Sequence, residues 1–119
     1  MSAVQELNEF EFDNEVLASG RPVLVDFYAP WCGPCRVLAP ILDRLAAEWS
    51  DRVRFVKVNV DEAPALAMRY QVHGVPTLML FSGGRPTNRV VGLVSSQALE
   101  RWVAQASLQH MARSGQGGK

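Results

Sequence analysis

Hydrophobic residues gather in four short runs along the chain. Residues 23–29 and 53–58 are mostly apolar. Runs of this length and composition are typical of strands that are covered on both faces of a sheet. Two later runs, at 77–81 and 88–91, lie on either side of a Gly-Gly pair, which predicts a β-hairpin.

Stretches with helical periodicity separate these runs. Helices are predicted at 11–18, from the cysteines to about Trp49, at 64–70, and from Ser95 or Ser96 onward. We expect the first helix to carry Phe12, Val16 and Leu17 on one face, and the last to carry Leu99, Trp102, Val103 and Ala106 inward. The second helix repeats apolar residues along one face, and these are Leu38, Ile41, Leu42, Leu45 and Trp49. Strands that alternate with helices and end in a hairpin and a helix predict an α/β fold with a mixed sheet.

Length and composition are those of one globular domain. The 119 residues are 48% hydrophobic and 20% charged, which is enough apolar material for a core. We expect the domain to span residues 1–112. Residues 113–119 are polar and rich in glycine, and we expect them to form a disordered tail.

The equal numbers of positive and negative side chains argue against some classes of binding partner. Lys and Arg together number 12, as do Asp and Glu, which argues against nucleic acid or an anionic membrane surface. The N-terminus lacks the features of a secretory signal, and no apolar stretch is long enough to span a bilayer. We therefore expect a cytoplasmic protein, in which a cysteine pair is more often catalytic or metal-binding than structural.

Both cysteines of the chain lie in the segment Trp31-Cys32-Gly33-Pro34-Cys35, where the first predicted strand gives way to a helix. At a helix start, the first sulfur faces unpaired backbone N–H groups and the positive end of the helix dipole, which favour the thiolate. A thiolate with a second thiol beside it can attack a disulfide and resolve the mixed disulfide that forms. The pattern is typical of a dithiol redox catalyst.

A zinc site and a structural disulfide are weaker interpretations of the same cysteines. Zinc needs four ligands, and the only imidazole nitrogens belong to His73 and His110, which lack the spacing of a zinc site. A structural disulfide here would close too short a loop to restrict the unfolded chain by much. We therefore expect no bound metal.

Several residues outside the cysteine segment add to this pattern. In chain order, the features are the strand with Asp26, the segment Trp31–Cys35, Pro40, Lys57, the segment Gly74-Val75-Pro76-Thr77, Gly84 and Gly92. Together they resemble the thioredoxin family over roughly residues 5–107. The resemblance implies a thioredoxin fold, with a central mixed sheet of about five strands flanked by about four helices.

The resemblance also implies separate roles for the two cysteines. Cys32 would be the exposed thiolate that attacks a target disulfide, and Cys35 the buried thiol that resolves the mixed disulfide. A flavin- and NADPH-dependent thioredoxin reductase would restore the dithiol, and the protein itself would hold no cofactor. The implied targets are disulfide-containing proteins such as ribonucleotide reductase, peroxiredoxins and methionine sulfoxide reductases. A monomer is expected.

Asp26 and Lys57 each stand as a single charge within an apolar strand stretch. A lone buried charge is costly unless it is paired or neutralised. Burial should raise the pKa of Asp26, and a nearby Lys57 should lower it. Thioredoxins use a buried Asp as the proton acceptor for the second cysteine, so both residues are catalytic candidates. A purely structural ion pair is the alternative.

The resemblance places a cis-proline, Pro76, opposite the cysteines, where the backbone of Val75 would pair with an extended target segment. A simple tight turn is the alternative. An apolar rim for binding targets is expected around Cys32, formed by Trp31, Gly33, Pro34, Val75, Pro76, Gly92 and Leu93. Trp31 could instead be a packing aromatic residue.

The dipeptide Gly33-Pro34 is the version typical of thioredoxins, which implies a general protein-disulfide reductase. Disulfide oxidases and isomerases usually carry a His there, and they would need an oxidising compartment. A binding module, in which the fold holds a partner and the thiols are incidental, is the alternative from another class of function.

Overall fold

Strands and helices alternate in the computed structural model, which describes the backbone of residues 3–117 and the side chains of residues 3–111. The elements in chain order are β1 (Gln5–Glu6), a π-helical turn (Asp13–Leu17), β2 (Val23–Tyr28), α1 (Gly33–Trp49), β3 (Arg54–Asn59), α2 (Pro64–Arg69), β4 (Thr77–Ser82), β5 (Arg85–Val91) and α3 (Ser96–Gly117).

The five strands form one mixed sheet in the order β1-β3-β2-β4-β5. Strands β1, β3 and β2 are parallel, whereas β4 is antiparallel to β2 and β5 is antiparallel to β4. The β4–β5 turn contains Gly83 and Gly84 with φ of 62° and 80°, a conformation that glycine adopts without steric cost. The predicted fold, a mixed sheet of about five strands with about four flanking helical segments, is confirmed.

Two elements near the start of the chain differ from the sequence prediction. The first helix is a short π-helical turn, Asp13–Leu17, rather than a helix over 11–18. Its apolar residues still point inward as predicted, since Phe12 and Val16 are buried. Strand β1 has no counterpart among the predicted runs because it is only two residues long and both residues are exposed.

The sheet separates two hydrophobic layers, because successive side chains of a strand point to opposite faces. On one face, Leu24 of β2 packs with residues of α1 and α3, among them Leu38, Leu42, Leu45, Leu99 and Val103. On the other face, β2 contributes Val23, Val25 and Phe27 to a cluster with Phe12, Val16, Leu66 and Phe81. Full burial of each large apolar side chain stabilises the fold by about 1.5–3 kcal/mol.

Helix α3 is longer than the sequence predicted. Its inward residues are Leu99, Trp102, Val103 and Ala106, as expected from their spacing. Its backbone continues to Gly117, past the predicted domain end at residue 112. No glycine or proline lies between residues 96 and 114 to end the helix earlier. The domain boundary itself stays a prediction, and the last residues of the predicted tail, 118–119, lie outside the described part of the chain. None of the described helices is long and apolar enough to cross a membrane.

Candidate active site

The two cysteines lie at the start of α1 and form a disulfide with a Cα–Cα distance of 5.3 Å. Cys32 is the N-cap residue, in extended backbone conformation with φ of −87° and ψ of 114°. The backbone N–H of Cys35 donates to the Cys32 sulfur at 3.1 Å. Cys32 Sγ therefore occupies the position of a capping acceptor, where unpaired N–H groups and the helix dipole stabilise negative charge.

Burial does not separate the two cysteines, because each is only 4% exposed. The expectation of an exposed Cys32 is wrong for this disulfide form. Both sulfur-bearing residues pack in a small apolar cluster with Ala29, against Tyr28, Val60 and Val75. The two cysteines differ in their neighbours: Cys32 Sγ lies 3.7 Å from the carbonyl oxygen of Val75, whereas Cys35 lines a cavity together with Asp26.

The segment opposite Cys32 contains a cis peptide bond between Val75 and Pro76. Two hydrogen bonds hold this segment in place. The Thr77 hydroxyl donates to the Gly74 carbonyl at 2.6 Å, and the Gly92 N–H donates to the Pro76 carbonyl at 2.8 Å. The structure thus places the Val75 carbonyl beside Cys32 and joins Gly92 to the neighbouring Pro76 by a hydrogen bond.

The predicted apolar rim includes two largely exposed hydrophobic side chains, Trp31 (67%) and Leu93 (52%). Gly33 and Pro34 are exposed on the first turn of α1, Val75 is half-buried, and Pro76 is buried. The exposure of Trp31 argues against a role in core packing. An apolar surface of this kind is suited to contact with other proteins.

One polar neighbour of the rim was missed in the sequence analysis. Trp31 Nε1 donates to a carboxylate oxygen of Asp61 at 3.0 Å, and the Asp61 N–H in turn donates to the Asn59 side chain at 3.0 Å. Strands β2 and β3 are parallel, so the residues after their carboxyl ends meet at one edge of the sheet. That rule could have placed Asp61 near Trp31 from the sequence.

Asp26 and Lys57 are direct partners in the register of β2 and β3. Asp26 is 5% exposed, and its Oδ1 has no hydrogen-bond partner among the described residues. Burial raises the pKa of Asp26 from its ordinary 3.8 to about 7, while the charge of Lys57 lowers it by a smaller amount. A carboxyl group with this pKa can accept or release a proton near neutral pH.

A cavity of about 130 Å³ connects this carboxyl group with the disulfide. Asp26, Lys57 and Cys35 are all part of its wall, together with Tyr28, Ala29, Pro30, Arg36 and Ala39. The Arg36 guanidinium donates to the Pro30 carbonyl at 2.8 and 3.3 Å, which fixes the loop before Cys32. The cavity therefore places an acid–base group on the inner side of the disulfide, next to Cys35.

Tyr28 is a second residue of the site that sequence reasoning did not single out. Lys57 Nζ lies 5.5 Å from the centroid of the Tyr28 ring, a distance that permits a cation–π contact. Burial, a hydrogen bond to the Glu6 side chain and the nearby charges of Glu6, Glu62 and Asp26 all raise the pKa of Tyr28. The hydrophobic pattern does not indicate that Glu6 lies near Tyr28, because β1 consists of only two exposed residues.

Comparison with known proteins agrees with this geometry. A family model described as thioredoxin matches residues 3–105. The chain is 48% identical over 105 residues to Thioredoxin 1 of Nostoc sp., a match that covers 85% of this chain and 98% of that protein. It is also 48% identical over 99 residues to Thioredoxin 1 of Synechococcus elongatus (83% and 92% covered), and 42% identical over 100 residues to Thioredoxin of Rickettsia typhi (84% and 95% covered).

These matches take in the whole sheet and the redox-active disulfide at the start of α1. The family model alone spans more than half of the chain, and the relatives are matched over most of their own length. With its Cys32–Cys35 pair, the chain belongs to the thioredoxin family of thiol-disulfide oxidoreductases.

Proposed function

We propose that the protein is a general protein-disulfide reductase, in which Cys32 is the nucleophile and Cys35 the resolving thiol. The observation that carries this proposal is the placement of Cys32 Sγ, 3.7 Å from the Val75 carbonyl and within an apolar rim. A target segment that paired with the backbone of Val75 would bring its own disulfide to that sulfur. The apolar rim favours contact without strict sequence selection.

In the first step, the Cys32 thiolate attacks one sulfur of the target disulfide. A bond forms between Cys32 Sγ and that sulfur, the target S–S bond breaks, and the other target sulfur leaves as a thiolate. The N–H of Cys35, which lies 3.1 Å from Cys32 Sγ in the disulfide form, is placed to stabilise the attacking thiolate.

In the second step, Cys35 loses its proton and attacks Cys32 Sγ. The Cys32–Cys35 bond forms, the mixed disulfide breaks, and the target leaves as a second thiolate, so two electrons have moved from the protein to its target. Asp26 is the proposed proton acceptor for Cys35, because the two residues share the wall of one cavity. Lys57, its partner across the strands, supports the negative charge that Asp26 holds when it is deprotonated.

The disulfide that results must be reduced before the next cycle. A flavin enzyme that uses NADPH, a thioredoxin reductase, is the proposed electron donor, which agrees with membership of the thioredoxin family. Disulfide-containing enzymes such as ribonucleotide reductase, peroxiredoxins and methionine sulfoxide reductases are the proposed targets. The proposed location is the cytoplasm, and the proposed state is a monomer without a cofactor of its own.

Reduction of insulin disulfides with NADPH and a bacterial thioredoxin reductase tests this function. We expect rapid NADPH oxidation with the parent protein. Cys35→Ser should stop after one attack and accumulate a mixed disulfide through Cys32. Cys32→Ser, the matched control, should form no mixed disulfide.

The result that would overturn the proposal is a folded parent that fails to reduce insulin even when dithiothreitol replaces the reductase. Turnover with dithiothreitol alone would overturn only the choice of reductase. Function in cells that survives the Cys32→Ser, Cys35→Ser double substitution would favour the binding module instead.

A further inference from the structure

Lys57 lies between two carboxylates on the neighbouring strands. Its register partner in β2 is Asp26, and its register partner in β1 is Glu6. In-register residues of neighbouring strands point to the same face of a sheet. The ammonium group of Lys57 is therefore placed to approach a buried carboxylate on one side or an exposed one on the other.

Tyr28 lies near both Lys57 and Glu6. Its ring lies 5.5 Å from Lys57 Nζ, and the Glu6 side chain lies close enough to its hydroxyl to raise the pKa of Tyr28. Tyr28 also forms part of the wall of the cavity that holds Asp26. The ring of Tyr28 thus lies beside the Lys57 ammonium, and its hydroxyl lies near the Glu6 carboxylate, which competes for that ammonium.

We propose that Glu6 and Tyr28 are positioning residues for the exchange reaction, acting through Lys57. The Tyr28 hydroxyl holds the Glu6 carboxylate, and the Tyr28 ring holds the Lys57 ammonium. Lys57 is thereby kept available to the buried carboxyl group of Asp26. Neither positioning residue is assigned any contact with the reacting sulfurs. The inference rests on the proposed role of Asp26 as proton acceptor.

None of the other polar groups described around the cavity can take the role that we assign to Glu6. The Arg36 guanidinium of α1 is bonded to the Pro30 carbonyl. Cys35 of α1 is part of the disulfide. Glu62, which follows β3, affects Tyr28 through its charge rather than through a hydrogen bond. Among the residues described around this cavity, only Glu6 combines a register position beside Lys57 with a side chain that acts on the tyrosine hydroxyl.

Two substitutions are expected to shift the titration of Asp26 in opposite directions. Glu6→Gln keeps a hydrogen-bond acceptor for Tyr28 but removes the competing charge, so the titration midpoint of Asp26 should fall by about half a pH unit. Tyr28→Phe keeps the ring but frees the Glu6 carboxylate to approach Lys57. The midpoint should then rise by about half a pH unit. The double variant should behave like Glu6→Gln.

Carbon-13 NMR of the Asp26 carboxyl group in the oxidised protein gives this midpoint directly. The pH dependence of the resolution step, measured in single-turnover reduction of a target disulfide, gives an independent value of the Asp26 midpoint. Glu62→Gln is the matched control, because it removes a nearby charge that is not bonded to Tyr28. It should shift the midpoint by less than half as much as Glu6→Gln.

Shifts in the same direction for both variants, or shifts no larger than the control, would overturn the inference. Glu6 is exposed, so Glu6→Gln decides the question even where Tyr28→Phe does not fold. The NMR midpoint is independent of turnover. If Asp26→Asn leaves the resolution step at full speed, the proton-acceptor role fails, while the NMR titration still tests the positioning of Lys57.

Discussion

Asp26 places a carboxyl group in the apolar layer between β2 and α1, and this makes the stability of the fold depend on pH. Its pKa is about 7 in the folded protein, against an ordinary 3.8, because burial disfavours the charged form. The folded state therefore binds this proton more tightly than the unfolded state does. The penalty is absent below about pH 4 and fully present above about pH 7, where it reaches about 4 kcal/mol.

Asp26→Asn should remove this penalty, because the amide stays neutral at every pH. We expect the free energy of unfolding to rise by a few kcal/mol, about 2–4, at pH 8 and to change by less than about 1 at pH 4. Denaturant unfolding at both pH values measures the difference. Asp51→Asn is the control, since its side chain is 77% exposed and should show no such pH dependence. An equal gain at pH 4 and pH 8 would mean that Asp26 titrates like a surface carboxylate.

The same substitution should slow the chemistry while it stabilises the fold. With no proton acceptor in the cavity, Cys35 must lose its proton to water, so resolution of the mixed disulfide at pH 7 should be slower by about 100-fold. Stopped-flow measurement of the second step, with the first step as internal control, checks this. An unchanged resolution rate from pH 6 to pH 8 would remove Asp26 from the mechanism.

These residues differ in how far the sequence alone could identify them. A single charge in an apolar strand is visible in a sequence, so Asp26 and Lys57 could be singled out before the structure was known. Glu6 could not, because its strand is two residues long and has no hydrophobic pattern. The burial of Cys32 was also missed, since it results from packing against Val60 and Val75, which are distant in the sequence.

At the scale of elements, the site depends on loops that end at the same edge of the sheet. The loop before α1 carries Cys32, the segment before β4 carries Val75 and Pro76, and the segment after β5 carries Gly92. The hydrogen bond from the Gly92 N–H to the Pro76 carbonyl joins two of these segments. The strand runs and helical stripes predicted the main elements, but this contact between loops left no trace in the hydrophobic pattern.

Gly92 has φ of 96°, a conformation that other residues rarely adopt. Gly92→Ala should lower the free energy of unfolding by about 1–2 kcal/mol and should raise the KM for a protein target, because the strain would weaken the bond to Pro76. Gly33→Ala is the matched control for stability, since an added Cβ meets no atom within 4 Å at either position but only Gly92 has a positive φ. Thermal unfolding and insulin-reduction kinetics measure both effects. Equal stability of the two variants would show that Gly92 is not under backbone constraint.

At the scale of the whole molecule, the two hydrophobic layers hold the site at one edge of the sheet. Among the described side chains of α3, Leu99, Val103 and Ser107 are buried. Farther along the helix, Leu108 and Met111 are exposed, at 66% and 61%. The sequence predicted the inward face of α3 correctly, but it could not give the length of the helix, because no proline or early glycine ends the pattern.

Removal of residues 113–119 is therefore expected to leave the domain intact. Among the described side chains of α3, those that are buried all precede the cut, so the chain ending at residue 112 should keep its melting temperature within about 2 °C and its insulin-reduction rate within about twofold. A cut after residue 101 is the contrasting variant, because it deletes the buried Val103 and should unfold the protein or lower its melting temperature by more than about 10 °C. Calorimetry of both truncations measures this. A loss of more than about 5 °C on removing 113–119 would mean that the end of α3 contributes to folding, and the domain would then extend beyond the boundary that the sequence predicts.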